Sequence, residues 1–476
     1  MDKKRLVELL AASHDEMDLM ATARALASFG PDALDVVPDL VALLHAGEPS
    51  RTAAAAFVLS EIGAPALEHD PKLVQKFLPL LSHVNNEVRH WVTVALSRFG
   101  PAASTAVASF LNGLRDNDEG VRIVSAQALG EVGPDAAGAI EGLISTLQDP
   151  SPSVRRAAAS ALARVDVLGS RCVSPLIHAL HDPAPAVRSS AAEALWVMGA
   201  VASPAAPSLL ACLDDEDADV RLRAVQALGR VETESRAVVT SVARRLTDPD
   251  VRVRCHAAQT LQRLGAFATS AVGQLVAALR DADELTRFCA VEALEAISPH
   301  ATAALLPAVN LALSHCLRDP SRIVQSRAVS ALGALGEQSR HTDDMLLASL
   351  KHLDSDVRLA SVEALARMGS PAPAIVDALR QCLADDCGAV RVAACGALHA
   401  VGKPAYEYLP VLIDALRDPN ASVQLAGIKV LSGLGPLANG AEPALQTKLG
   451  DSNPLIREVA REALLRLQHV ETASGE

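Results

Sequence analysis

Cysteine and histidine are the residues of this chain whose chemistry could build a metal centre or supply a nucleophile. Three arrangements contain the right residue types: Cys255-His256, His315-Cys316, and Cys382 with Cys387. None has the C-x-x-C spacing that is typical of zinc sites, and the first two pairs fall on different predicted helices. The spacing therefore predicts no metal site and no metal cofactor. The eight cysteines are expected to be small buried thiols in a reducing cytoplasm.

Sequence motifs for phosphate binding and for hydrolysis are also missing. Neither G-x-x-x-x-G-K-[ST] nor G-x-S-x-G occurs. The net charge is −13, whereas proteins that bind a nucleic-acid backbone usually show a basic stripe. No apolar run approaches the roughly 18 to 20 residues of a membrane span, and no targeting segment is visible. We therefore expect a cytoplasmic, non-catalytic protein that binds neither nucleic acid nor membrane. The sequence does not fix the oligomeric state, for which a monomer is the expectation.

A repeated segment positions all these residues. In its clearest copy, Ser153 to Asp166, it reads S-V-R-R-A-A-A-S-A-L-A-R-V-D. We number each copy from its valine or the residue that replaces it, the reference position. These reference positions fall at 18, 51, 88, 121, 154, 187, 220, 253, 286, 324, 357, 390, 423 and 456. Eleven of the thirteen spacings are 33 residues, one is 37 and one is 38. A fixed period of this length is typical of stacked helical repeats.

One repeat contains two amphipathic helices. In the copy from Pro134 to Asp166, apolar residues over 137–147 have helical spacing, and a polar, proline-containing turn follows. A second apolar stripe then runs from Val154 to Val165, and Ser151 or Ser153 can cap this helix. Many copies close with a glycine, which is expected to adopt the left-handed conformation that ends a helix. The unit is a helical hairpin, helix A then helix B, that must stack on its neighbours to bury both stripes.

Two charged positions recur with the apolar ones. An aspartate lies five residues before the reference position, and an arginine directly follows that position. They could form a charged binding track or a ladder in which charges of adjacent repeats neutralise each other, and the alternation of sign favours the ladder. The residues chosen for this ladder are Arg122, Arg155, Arg188, Arg221 and Arg254 with Asp116, Asp149, Asp182, Asp215 and Asp248. It is interrupted at Thr52, Gln325 and Gln424 in the arginine position and at His83 and His352 in the aspartate position.

The hairpin, the proline after the turn aspartate, the V-R pair and the A-x-x-A-L-x-x-(V/I/L)-G ending resemble HEAT repeats. The short bacterial type found in phycobilin lyase subunits, the PBS lyase HEAT-like repeat, is the most similar. The resemblance covers residues 1–468 and leaves a polar tail at 469–476. It implies an all-α, right-handed solenoid of about 14 hairpins in which the B helices line the inner face. The two longer spacings predict changes of curvature near 64–87 and 299–323.

The same resemblance implies a function. Its members are mostly scaffolds and adaptors that hold other proteins, so the favoured interpretation is a protein or peptide partner. An alternative is a subunit of a bilin lyase-like or other HEAT-type enzyme complex. HEAT-type iron hydroxylases bind metal through His-Glu dipeptides, and none of the fourteen histidines here precedes a glutamate.

The partner is expected on the inner face of the B helices. Positions 2, 6 and 9 after the reference residue form a stripe with apolar, glutamine and acidic side chains, and its middle repeats contain a tryptophan and a phenylalanine. We predict that a peptide with some basic residues binds this stripe, which consists of Glu193, Trp196, Leu222, Gln226, Gln259, Gln262, Phe288, Glu292, Glu295, Leu359 and Glu363. The alternative is that these side chains pack laterally between adjacent B helices.

Overall fold

The computed structural model describes residues 2–13, 15–166, 169–231, 235–302, 304–335 and 343–468. These residues form helices and turns, with no β-strand among them. The chain is an α-helical repeat solenoid and divides into two compact units, Met1–Ser241 and Val242–Glu476. The predicted polar tail lies outside the described residues, and the prediction of one continuous array over 1–468 stays a prediction.

In the first unit, seven B helices alternate with shorter A helices. The B helices are α2 (Glu16–Ala27), α4 (Pro49–Ile62), α7 (Asn86–Arg98), α9 (Glu119–Val132), α11 (Pro152–Val165), α13 (Pro185–Met198) and α15 (Ala218–Val231). The A helices are α1 (Lys3–Ala12), α3 (Val37–Leu44), α5 (Ala66–His69), α6 (Leu73–Phe77), α8 (Val107–Gly113), α10 (Ile140–Thr146), α12 (Val173–Ala179) and α14 (Ala206–Cys212). Helix α16 (Arg236–Arg244) contains the boundary between the units.

The second unit has the same construction. Its B helices are α17 (Val251–Leu264), α19 (Glu284–Ile297), α21 (Arg322–Ala334), α23 (Ser355–Met368), α25 (Gly388–Ala400), α27 (Ala421–Leu434) and α29 (Pro454–Gln468). Its A helices are α18 (Val272–Ala278), α20 (Leu306–Cys316), α22 (Asp343–Ser349), α24 (Pro373–Cys382), α26 (Leu409–Ala415) and α28 (Glu442–Lys448).

The core of each unit lies between helices A and B and between successive B helices. In α11 the reference residue Val154 and the residues 4, 7, 8 and 11 positions later are all buried. Alanine, leucine and valine provide most of this core, and small side chains allow the helices to approach closely. A Cβ atom added at Gly333 in α21 would lie 2.4 Å from the Cα of Ala364 in α23. That glycine is therefore required by the packing of two adjacent B helices.

The entry into helix A differs from the predicted single helix. In the copy that contains α10, a 3-10 segment, Gly133–Ala139, precedes the α-helix. Gly133 has φ 73° and ψ −139°, and the glycines at the ends of α4, α13, α17 and α27 have similar dihedral angles. Gly369, at the end of α23, has the predicted left-handed helical conformation, with φ 58° and ψ 21°. Positive φ with extended ψ turns the chain sharply into the 3-10 segment, and glycine adopts it without a steric cost.

The two longer spacings contain additional helical structure. In 64–87, two short α-helices, α5 and α6, and a 3-10 segment, Leu78–Ser82, replace the usual short helix A. In 299–323, helix A is α20, which has 11 residues, whereas α18 has 7. The predicted changes of curvature at these places stay predictions.

Two stretches of 28 residues, Pro185–Cys212 and Ala421–Lys448, are long and apolar enough by composition to cross a membrane. Each contains a B helix, a 3-10 segment and the next A helix. Gly199 and Gly435 have φ values of 61° and 52° at the junctions, so neither stretch is one straight helix. The composition is that of the repeat itself, and the predicted lack of a membrane partner stays a prediction.

Candidate partner-binding site

The recurring arginines and aspartates lie between adjacent repeats, where the turn before each B helix positions them. In the first unit, the Nε and Nη2 atoms of Arg155 donate to the two carboxylate oxygens of Asp182, 27 residues later, at 2.7 and 2.8 Å. The Nη1 atom of Arg155 also donates to the carbonyl oxygens of Asp149 and Pro150 in its own turn. Each arginine thus joins its own turn to the next repeat through charge-assisted hydrogen bonds. Arg89–Asp116, Arg122–Asp149 and Arg188–Asp215 have the same geometry.

The second unit has equivalent pairs. They are Arg254–Asp281, Arg287–Asp319, Arg358–Asp385 and, with a longer contact of 3.5 Å, Arg391–Asp418. Two predicted ladder residues, Arg221 and Asp248, lie on opposite sides of the unit boundary. Within its own unit, Arg221 donates to the carbonyl oxygen of Asp215 at 2.9 Å. Asp248 is buried and accepts from the backbone amide of Asp250 at 3.0 Å.

The charges of the ladder are held in place by the fold. At Asp182, burial raises the pKa of the carboxyl group, but the hydrogen bonds from Arg155 and from the backbone amide of Ala184 outweigh it, and the pKa is lowered. The pKa of Arg155 is raised by its hydrogen bond to Asp182. Both side chains are nearly buried, with 12% and 9% of their surface exposed. A residue engaged in this way holds the repeats together and is not available to a ligand.

Two of the three arginine-position interruptions are matched by a histidine in the aspartate position of the following repeat. Gln325 occupies the arginine position, and His352 occupies the aspartate position of the following repeat. Gln325 Nε2 donates to the carbonyl oxygen of Asp319 at 2.7 Å, which replaces the bond that an arginine makes to its own turn. Its buried Oε1 atom has no hydrogen-bond partner within the described part of the chain. His352 Nδ1 accepts from the backbone amide of Asp354 at 3.0 Å. The ladder pair between these two repeats is therefore missing together with both of its charges, although Arg322 and Asp354 form another ion pair between the same repeats at 3.1 Å.

A second matched interruption lies in the first unit. Thr52 donates to the carbonyl oxygen of Leu44 at 3.4 Å, and His83 Nδ1 accepts from the amide of Asn85 at 3.1 Å. At the third interruption, Gln424, a lysine restores the connection. Lys448 Nζ donates to Gln424 Oε1 at 2.8 Å and to Asp451 at 2.9 Å.

The predicted stripe in the first unit is largely engaged in contacts between B helices. The carboxylate of Glu193 lies 3.5 Å from the Nη2 atom of Arg223 on α15. The Nη1 atom of Arg223 donates to Gln226 Oε1 at 3.2 Å. The guanidinium carbon of Arg230 lies 5.0 Å from the ring centre of Trp196, a cation–π contact. Leu222 is buried and packs within the repeat core.

The stripe in the second unit is more open. Arg327 on α21 lies 3.4 Å from Glu292 and 2.8 Å from Glu295, so both acids are paired. Gln259 donates to the thiol of Cys289 at 3.7 Å. Phe288, Gln262 and Leu359 are half-buried and Glu363 is exposed, and these four side chains have no polar or ring contact to another described residue.

An open cavity of about 530 Å³ lies beside Phe288. Serines and arginines of α21 and the turn aspartates of the next repeat complete its wall, with an exposed isoleucine at its edge. The lining residues are Phe288, Arg322, Ile323, Ser326, Arg327, Ser330, Asp354 and Asp356. Of these, only Phe288 is among the predicted binding residues, although Ser326 and Ser330 also occupy stripe positions of their repeat. Ile323 was missed because its position precedes the reference residue and lies outside the stripe, although most copies have a polar or small residue there.

No group of three or more His, Cys, Asp or Glu that could hold a metal ion occurs in the ranges that the structure describes. Seven of the eight cysteines are buried and Cys387 is half-buried. Burial raises the pKa of the Cys395 thiol to about 12. The pKa of the Cys255 thiol is instead lowered, chiefly by the neighbouring Cys289 thiol.

A family model described as HEAT repeats matches residues 37–130, 107–196, 140–229, 206–295, 239–311 and 309–399. These matches cover more than half of the sequence, and the chain belongs to the HEAT-repeat family. A comparison with curated protein sequences gave no match.

Several solved structures, among them importin beta and Kap121p, have a similar fold. A crystal structure of importin beta has a TM-score of 0.66 and 15% sequence identity, over 98% of this chain and 76% of that chain. The structure of Kap95p, solved in a study of RanGDP, has a TM-score of 0.63 and 16% sequence identity, over 98% of this chain and 70% of that chain. A crystal structure of Kap121p has a TM-score of 0.59 and 14% sequence identity, over 98% of this chain and 61% of that chain. At these identities the similarity shows the fold alone.

Proposed function

We propose that the chain is a non-catalytic scaffold that binds a protein or peptide partner through the B-helix stripe. The observation that carries this proposal is the open cavity beside Phe288, next to stripe side chains that the fold leaves without polar partners. Aromatic residues in such positions often dominate interface energetics. The similarity to Kap121p, which was solved bound to the extreme C-terminus of the protein phosphatase Cdc14p and to the SUMO protease Ulp1p, supports a role in holding another protein. Cytoplasmic localisation, a monomeric state and the lack of nucleic-acid and membrane partners belong to the same proposal.

Affinity capture from the native lysate, followed by mass spectrometry, tests the proposal. The full-length chain is compared with a variant that combines Trp196→Ala and Phe288→Glu. Phe267→Glu is the matched control, because Phe267 is a phenylalanine of the second unit with 53% of its surface exposed, outside the stripe. We expect a specific protein to be lost with the double variant and retained with the control. Equal capture by all three proteins would contradict the stripe, and no specific protein in any sample would contradict the scaffold.

The PBS lyase HEAT-like subfamily remains our proposal for the closer relationship, on the repeat motif alone. It implies the alternative function, a subunit of a bilin lyase-like or other HEAT-type enzyme complex. The visible absorption spectrum and the metal content of the chain purified from its native source test this alternative. A bound chromophore or a stoichiometric metal ion would favour the enzyme complex over the scaffold.

A further inference from the structure

Large apolar side chains are exposed at the amino-terminal ends of two consecutive B helices in the second unit. Leu285 on α19 has 54% of its surface exposed, and Ile323 on α21 has 62%. Both occupy the position directly before the reference residue. The same position holds Arg252 in the preceding repeat and Asp356 in the following one. Ten of the fourteen copies have a polar or small residue at this position, and the first and last copies have the exposed residues Met17 and Leu455. The repeat therefore does not require an apolar residue there, and Leu285 and Ile323 are apolar in two successive inner repeats.

Phe288 connects these two residues to the cavity. It lies three residues after Leu285, one turn along α19, and it lines the same cavity as Ile323. We name Leu285, Phe288 and Ile323 the apolar patch. The cavity of about 530 Å³ is within the range of pockets that receive ligand groups, so a large side chain of a partner can enter it.

The charges around the apolar patch leave a negative excess. The two arginines of the cavity wall are already paired: Arg322 lies 3.1 Å from Asp354, and Arg327 lies next to the two glutamates of α19. Asp356 and Glu284 are exposed, and neither forms a salt bridge with any residue that the structure describes. A ligand that brings one positive charge would therefore find an acidic side chain without competing with an existing ion pair.

We propose that the apolar patch, with Glu284 and Asp356, is a docking site for a short segment of a partner protein. This segment presents a leucine, isoleucine, methionine or phenylalanine side chain to the cavity and a lysine or arginine within about four residues of it. The inference rests on the proposed scaffold function and specifies the chemistry of the partner at one place. The apolar anchor supplies affinity by burial, and the basic residue selects the segment through Glu284 or Asp356.

A dodecapeptide library displayed on phage, selected on the immobilised full-length chain, tests this inference. We expect the selected peptides to combine a large apolar residue with a nearby lysine or arginine. Fluorescence anisotropy of one such synthetic peptide should show an affinity about tenfold lower for the double variant Leu285→Glu and Ile323→Glu. Asp356→Asn should lower the affinity about threefold at low salt and weaken its dependence on salt. Leu437→Glu is the control, since Leu437 is equally exposed in the same unit and far from the patch in sequence.

Each other outcome overturns the inference. Selected peptides without the apolar and basic pair, unchanged affinity in the double variant, or no selected peptide would each exclude a docking site of this chemistry. Self-association of the chain that Ile323→Glu abolishes, measured by sedimentation velocity, would instead assign the patch to a second copy. The scaffold function is judged separately, because lysate capture that depends on Trp196 and Phe288 can succeed where the peptide test fails.

Discussion

Two substitutions, Gln325→Arg and His352→Asp, can restore the arginine–aspartate ladder pair that is missing between the repeats that contain α21 and α23. The two positions are 27 residues apart, as are Arg155 and Asp182. An arginine at 325 can keep the bond that Gln325 makes to the carbonyl oxygen of Asp319 and present its other nitrogens to the next turn. An aspartate at 352 can accept from the same backbone amide that His352 uses. The pair should then adopt the geometry of the intact ladder.

The magnitude follows from the groups that each variant leaves unpaired. In the natural chain, the buried Oε1 atom of Gln325 lacks a hydrogen bond within the described residues, which costs about 1–3 kcal/mol. His352→Asp alone places a carboxylate in the aspartate position of the ladder without a guanidinium partner at position 325, and it should lower the free energy of unfolding by about 2 kcal/mol. Gln325→Arg alone should change it by less than about 1 kcal/mol, since its charge can reach solvent. The double variant should exceed the natural chain by about 1–2 kcal/mol, which gives a coupling of about 3–4 kcal/mol when Gln325→Arg alone is near neutral.

Urea unfolding of the four proteins at pH 7, followed by far-UV circular dichroism, measures the coupling. Repeat arrays can unfold in several steps, so hydrogen exchange of α21 and α23 should locate the gain in those two helices. The control is Leu437→Glu, which lies outside the ladder and should leave exchange in α21 and α23 unchanged. A coupling below about 0.5 kcal/mol would refute the reasoning, because the ladder would then contribute no more than an exposed ion pair.

Three further predictions concern the ladder and the helix packing. Arg155→Ala should lower the free energy of unfolding by about 3 kcal/mol, because it leaves the nearly buried carboxylate of Asp182 unpaired. Arg171→Ala breaks an exposed ion pair and should lower it by less than about 1 kcal/mol. Equal urea midpoints for the two variants would contradict this difference. Because the pKa of Asp182 is lowered in the folded chain, its contribution is complete above the unfolded value of about 3.9 and is lost as pH falls below it. Unfolding free energy measured from pH 7 to 3 should therefore decrease below about pH 4, and less so in Asp182→Asn. Gly333→Ala should lower the thermal midpoint, because the added methyl group forces α21 and α23 apart. Gly433→Ala, at an exposed helix position where an added Cβ meets nothing within 4 Å, should raise the free energy of unfolding by up to about 1 kcal/mol. Calorimetry measures both midpoints, and a higher midpoint for Gly333→Ala than for Gly433→Ala would contradict the prediction.

The fold could be predicted from the sequence because the same pattern of apolar and polar positions occurs fourteen times. Helical spacing, the polar turn and the buried stripe of Val154 recur in register, so chance variation at one copy does not hide them. The 3-10 entry into helix A could not be predicted, since apolar spacing over one turn is nearly the same for a 3-10 and an α-helix. The division into two compact units has no counterpart in the repeat pattern, because the period of 33 continues through their boundary.

The sequence does not show which side chains of the candidate site already contact other residues, and the reason is chemical. The stripe was chosen for residue type, but Glu292 and Glu295 have their counter-charge three residues after the next reference position, in Arg327. Arg223 pairs with Glu193 from the corresponding position. That arginine recurs too rarely to be recognised as part of the repeat. The interruptions of the ladder, in contrast, carried a readable signal: each histidine follows a neutral residue in the preceding arginine position, as the matched loss of both charges requires.

A repeat protein separates folding from recognition more cleanly than a globular domain does. Positions that serve packing are filled alike in most copies, so a residue that serves a partner must differ from its equivalents in other repeats. Leu285 and Ile323 differ in this way from the polar or small residue that ten of the fourteen copies have at the same position. Their exposure means that the fold gains little from their apolar character. Replacing both with glutamate should therefore leave the unfolding free energy within about 0.5 kcal/mol of the natural chain. A larger loss, measured in urea, would mean that these side chains pack against the fold, and the argument for a partner at this patch would lose its basis.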